Sequence, residues 1–139
     1  MSVYVRLRVG SEAYAMPVEH VREVADLGAV QAIPGAGPEM LGVRNLRGQI
    51  LPVVDLALLL GINAITRPDR LLVAEAGGRH AGFAVDAVSE VGELPDPTEE
   101  TESDLLTGAT LVGGDFIGII DVTRVFDSLE GRGSERSGR

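Results

Sequence analysis

Asn45-Leu46-Arg47-Gly48-Gln49-Ile50-Leu51-Pro52-Val53-Val54-Asp55-Leu56 is the stretch whose reading decides the fold. It opens with a turn carrying an arginine at its tip and continues as an apolar strand. It ends at an aspartate placed to cap a short apolar helix over 56–60. A weaker copy follows as Thr110-Leu111-Val112-Gly113-Gly114-Asp115-Phe116-Ile117-Gly118-Ile119-Ile120-Asp121-Val122. Gly48 answers Gly114, Ile50 answers Phe116, Val53 and Val54 answer Ile119 and Ile120, and Asp55 answers Asp121. The chain therefore reads as two related halves, about 3–66 and 69–127.

The same correspondence extends backwards. Val3, Val5, Leu7 and Val9 alternate with Tyr4, Arg6 and Arg8, the period-two pattern of a half-buried strand. A turn at Gly10-Ser11-Glu12 returns the chain as Ala13-Tyr14-Ala15-Met16. Pro17 stops that strand and starts a helical turn, with Val18 and Val21 on its inner side, before an extended segment from Glu23 to Ile33. The second half restarts at Leu71 and turns at Gly77-Gly78. Placing Val85 on Val18 also puts Val88 on Val21, Glu90 on Glu23 and Gly77 on Gly10; after a one-residue shift Gly108 falls on Gly42. Many short strands with glycine turns and only short helical turns predict an all-β fold of two small barrels related by internal duplication. Leu94 to Asp104, with Pro95, Pro97 and many acids, predicts a mobile loop. Residues 128–139 predict the end of the last turn and a disordered tail, because nothing after Leu129 is apolar.

Bulk properties narrow the function classes. The 139 residues carry a net charge of −9, which disfavours nucleic-acid phosphates and anionic membrane surfaces. There is no cysteine, so disulfides and thiolate metal sites are excluded. No signal peptide precedes the first strand and no apolar run approaches bilayer length, so a soluble, cytoplasmic protein without membrane insertion is expected. His20 and His80 occupy different places in the two halves and read as solvated, with no metal-ligand spacing. No serine sits in a G-x-S-x-G elbow. Asp55 and Asp121 read as helix caps rather than an acid–base pair. No catalytic residue, metal or cofactor is expected.

What remains is Arg47. Its counterpart is Gly113, and a two-residue type I′ hairpin wants positive φ at both positions, which glycine adopts cheaply. An arginine there is either an ordinary exposed cation or a functional departure from turn chemistry.

Leu41-Gly42-Val43-Arg44-Asn45-Leu46-Arg47-Gly48-Gln49-Ile50-Leu51-Pro52-Val53-Val54-Asp55-Leu56 closely resembles the signature of the CheW family of chemotaxis coupling proteins. Ala15-Met16-Pro17-Val18, Val21-Arg22-Glu23-Val24, Gly82-Phe83-Ala84-Val85-Asp86 and Gly118-Ile119-Ile120-Asp121-Val122 fit as well, covering residues 3–127. The resemblance implies two five-stranded SH3-like barrels and a non-catalytic adaptor; the sequence leaves open an exchange of strands between the barrels. Its implied partners are the regulatory domain of a CheA-type histidine kinase and the cytoplasmic hairpin of methyl-accepting chemoreceptors. The implied setting is the cytoplasm, at membrane-associated receptor arrays, with the free protein a monomer. Arg47, Val21 and Glu23 inherit receptor-coupling roles, with Gly42 a backbone-sensitive neighbour; the kinase-binding residues stay unknown. Two alternatives stand beside this: the same adaptor in a pili, surface-motility or developmental pathway, and a small-molecule-binding β-barrel. Core or barrel geometry is the competing reading for Val21, Glu23 and Gly42, because Val88, Glu90 and Gly108 repeat them.

Overall fold

The computed structural model describes residues 2–63 and 67–137, with side chains described through residue 130. The boundary expected between the halves at about residue 66, and the last two residues of the expected tail, fall outside the described residues. In chain order the elements are β1 (Ser2–Val9), β2 (Glu12–Pro17), a single 3-10 turn (Val18–His20), β3 (Val21–Asp26), β4 (Met40–Leu46), β5 (Gln49–Asp55) and α1 (Leu56–Leu60). After them come β6 (Arg70–Ala76), β7 (Arg79–Val85), β8 (Ala87–Leu94), β9 (Leu106–Val112), β10 (Asp115–Ile120) and α2 (Val122–Ser137).

The strands form two five-stranded sheets, ordered β8-β1-β2-β10-β9 and β3-β6-β7-β5-β4. Exchanging β1–β5 for β6–β10 converts either order into the other, so the duplication is a twofold relation of strand order. Each half lends its first hairpin to the other half's barrel. Pro17 lies where the chain leaves the first sheet: with φ −54 and no amide hydrogen it ends β2, and the turn over Val18–His20 delivers β3 to the second sheet. Val18 is 40% exposed at that turn rather than on its inner side.

Three apolar clusters hold the molecule together, and the period of two decides which side chain joins which. Val5, Leu7 and Val9 face the other sheet and meet Leu72, Phe83 and Val85 there, together with Leu56 of α1 and Val125 and Phe126 of α2. Tyr4 points the other way, into its own barrel with Ala15, Ile117 and Ile119. Leu51, Val53, Leu71 and Val73 fill the second barrel. The rings of Phe83 and Phe126 meet edge to face at 6.0 Å.

Each barrel is closed by a backbone bridge outside its main strands. Gln31 and Val43 exchange N–H···O bonds of 2.8 and 2.9 Å. In the other barrel Ala109 accepts from Glu99 at 3.1 Å and donates to the Glu99 carbonyl at 2.9 Å. The acidic segment expected to be a mobile loop is therefore tied to β9. Backbone pairing does not depend on its side chains, and buried Leu94 anchors it at one end. The end of the chain also differs from the expected tail, for α2 continues to Ser137. Val122, Val125, Phe126 and Leu129 pack against the central core and anchor the first half of the helix. Asp55 and Asp121 cap as expected, accepting from the amides of Leu58 at 3.3 Å and Arg124 at 3.1 Å.

Candidate functional site

The β4–β5 hairpin turns at Arg47-Gly48, with φ of 51° and 88°. The equivalent β9–β10 turn, Gly113-Gly114, has φ of 59° and 88°. Both tips share one left-handed geometry, and Arg47 is the one non-glycine residue with positive φ among the described residues. That conformation costs a residue with a Cβ roughly 1–2 kcal/mol. Asn45 offsets part of it: its Oδ1 accepts from the Gly48 amide at 2.8 Å, a bond that Leu111, standing in its place in the second hairpin, cannot make.

The strained tip aims a cation at a neighbour. The Arg47 guanidinium donates to Glu23 of β3, closing the rim between the two outer strands of this sheet. Arg47 is 68% exposed and Glu23 33%, so the pair sits in solvent and adds less than about 1 kcal/mol to folding. Beside it on β5, Ile50 is 59% exposed. An ion pair and an apolar side chain thus share a rim that a partner can cover.

The structure brings together only two of the four residues singled out from the sequence. Val21 is on β3 near Glu23, but it is partly buried against the central core, opposite Ala74 of β6. Gly42 is in the barrel wall, at a bulge where β4 slips register against β5. Its φ is 146°, and a Cβ there would lie 2.0 Å from the Gln31 carbonyl oxygen, so its role is to let two backbones approach. Gly108 repeats the bulge, with φ 158° and a Cβ that would lie 2.7 Å from the Glu99 carbonyl oxygen.

Sequence reading missed a second charged group. Arg22 occupies the β3 bulge between Val21 and Glu23 and donates to Glu75 of β6. His80 Nε2 lies 3.1 Å from the same carboxylate, and His20 Nδ1 is 3.0 Å from the Glu75 carbonyl oxygen. The two histidines expected apart and solvated therefore converge on one residue. The Arg22 hydrogen bond, helped by the charges of Arg22 and His80, holds the Glu75 carboxyl below its ordinary range. The strand exchange creates this cluster, and no local pattern announces it. Among the described residues no group of three or more His, Asp or Glu side chains is placed to hold a metal ion. No described helix is long and apolar enough to cross a membrane.

Comparison with known proteins gives a consistent result. The family model of the CheW-like domain matches residues 3–130. The probable chemotaxis protein CheW of Rhizobium etli is 32% identical over 136 residues, covering 91% of this chain and 88% of that protein. Protein PilI of Pseudomonas aeruginosa is 32% identical over 93 residues, covering 66% of this chain and 52% of that protein. The crystal structure of the scaffolding protein TtCheW from Thermoanaerobacter tengcongensis superposes with a TM-score of 0.78 at 29% identity, covering 86% of this chain and 88% of that one.

Proposed function

We propose that this chain, which belongs to the CheW-like domain family, is a non-catalytic adaptor that couples chemoreceptor tips to a CheA-type histidine kinase. The family match spans nearly the whole chain, and an adaptor role in chemotaxis follows from it. The receptor and kinase assignments are the finer step. The observation that carries it is the Arg47–Glu23 pair: a cation held in a costly backbone conformation and ion-paired on an exposed rim. A strained tip that contributes so little to folding is better accounted for by what it presents to a partner.

Arg47, Glu23 and Ile50 form the receptor-facing rim in this reading. Val21 and Gly42 act indirectly, Val21 by setting the path of β3 and Gly42 by closing the barrel. The protein works by holding the kinase regulatory domain and the receptor hairpin at once, which raises their concentration around each other. Activation or inhibition then follows from whether the assembly favours one kinase state. Recruitment to receptor arrays is part of the same proposal.

The test is co-sedimentation with receptor-bearing membranes and kinase, together with the kinase rate. The wild-type chain is expected to sediment with both and to change the rate, and folded Arg47→Ala to lose at least part of that effect. A folded Arg47→Ala that couples like wild type would remove Arg47 from the reading, and failure to bind either partner would remove the reading itself. A second reading keeps the adaptor and changes the output to pili or surface motility; the similarity to PilI supports it. Affinity capture from the native cell separates the two by the kinase recovered.

A further inference from the structure

The strand order obeys the twofold relation, but the helices break it. In the second sheet, β5 and β7 pair in parallel only from Val53↔Gly82 onward, and the diverging strand ends leave a cleft of about 220 Å³. Helix α2 fills one side of it with Phe126, Leu129 and Glu130. Arg79 in the floor pairs with Asp127 at 2.8 Å and Glu130 at 3.3 Å, and its guanidinium lies 5.4 Å from the Phe126 ring. The cleft is a completed helix-docking site whose helix belongs to the same chain.

The first sheet repeats the floor. There β10 and β2 pair in parallel only at Gly118↔Tyr14 and Ile119↔Ala15, leaving a wider cleft of about 530 Å³. Leu106, Gly118, Glu12, Ala13 and Tyr14 line it, where Met40, Pro52, Arg79, His80 and Ala81 line the other. Among the described residues no helix fills it. The counterpart of α2, α1, ends at Leu60, the position corresponding to Phe126, and Gly61 turns the chain away at φ 74°. Leu60 does not reach the cleft. Phe116, 56% exposed, stands at its edge.

We propose that this open cleft docks an amphipathic helix from a protein partner, with apolar side chains three residues apart and basic residues beside them. The apolar spacing is that of Phe126 and Leu129. The basic residues follow from charge: Glu12 stands where Arg79 stands in the filled cleft, Asp115 adds a second carboxylate, and the one lining cation, Arg6, is already paired with Glu90 at 2.9 Å. A second copy's α2 would bring Asp127 and Glu130 against those carboxylates, so charge selects against self-association through this cleft. The cleft is in the barrel that does not carry Arg47, and the proposal goes beyond the coupling reading without depending on it.

The test uses the whole chain, isotope-labelled, titrated with two peptides of the α2 sequence Val122–Ser137. One is unchanged; the other has lysine at the positions of Asp127 and Glu130. The lysine peptide is expected to shift the amides of Glu12, Tyr14, Phe116 and Gly118 and to bind about tenfold more tightly than the unchanged one. In Glu12→Lys, folded by its amide spectrum, that preference is expected to collapse or reverse. Shifts centred on Phe83 and Arg79, no shifts at millimolar peptide, or a preference unmoved by Glu12→Lys would each overturn the proposal. So would a concentration-dependent dimer of the peptide-free chain broadening the same amides.

Discussion

Substituting Gly42 by alanine separates a residue that shapes the barrel from one that touches a partner. The new Cβ would stand 2.0 Å from the Gln31 carbonyl oxygen, 2.6 Å from its carbon and 3.0 Å from the Ala32 Cα. All three are backbone atoms, so no side-chain rotation relieves the clash. The chain must separate by more than an ångström, breaking both bonds of the Gln31–Val43 bridge. Those bonds contribute about 1 kcal/mol each, and holding alanine at positive φ adds about 1–3 kcal/mol. The expected loss is about 3–5 kcal/mol, or a melting temperature lower by roughly 10–15 °C in a domain of this size. Gly108→Ala is the internal control. It meets the Glu99 oxygen at 2.7 Å, needs a smaller displacement, and should lose visibly less. Urea unfolding of both variants, followed by partner binding at a temperature where each is folded, makes the comparison. If Gly42→Ala melts within about 2 °C of wild type yet fails to couple, the bulge argument is wrong and Gly42 is a contact residue.

Arg47→Gly should lose coupling while keeping or slightly raising stability, because relief of the left-handed strain, about 1–2 kcal/mol, exceeds the exposed ion pair it removes; a clear drop in the urea midpoint would count against it. All twelve Lys and Arg positions are arginine, so no lysine titrates in the alkaline range. Burial, with the nearby Glu12 charge, raises the Tyr14 phenol to about 12 from 10.0. Stability should therefore hold below pH 10 and fall as pH rises toward 12, by up to about 2–3 kcal/mol. Tyr14→Phe should flatten that limb in a melting series; an unchanged slope would refute it. At the acid end Glu75 has a lowered carboxyl, so its contribution is present above the ordinary carboxylate range and lost as pH falls below 4.5. Glu75→Gln should make acid unfolding less steep, and an identical acid midpoint and slope would show that the Arg22 and His80 contacts do not stabilise the folded chain.

Local chemistry carried much of this fold. Alternation along β1 from Val5 onward, the Pro17 stop, the five-residue helix after Asp55 and the glycine turns are each decided within a few residues, and the structure has them where the sequence puts them; at the start of β1 the expectation fails, for Val3 is 40% exposed and Tyr4 is buried in its own barrel. What local chemistry could not carry is the exchange of first hairpins between the barrels. Its consequences are the features the sequence hid: His20 and His80 meeting at Glu75, and Arg22 reaching across from the bulge. The acidic segment was misjudged for a related reason, since its order comes from backbone bonds to β9, which composition does not record.

The candidate site shows how a duplicated glutamate can be read only once the ladder register is known. Glu23 and Glu90 hold equivalent places, and each is paired with an arginine. On the ladder, Glu90 faces Arg6 of β1, whereas Glu23 faces Val73 of β6. The second-half glutamate is thus satisfied in place, its hairpin tip needs no charge, and Gly113-Gly114 turns there without strain. The first-half glutamate has an apolar ladder partner and takes its cation from the hairpin tip instead. One cation per glutamate is kept in both barrels, but in one of them it has moved from a strand to a strained turn. That difference in placement makes two equivalent rims unlike, one with Arg47 at its tip and the other with Asp115 beside Leu111 and Phe116, the last two each more than half exposed. The place of a single arginine, on a strand in one barrel and at a hairpin tip in the other, is enough to make the two ends of one repeated fold unlike.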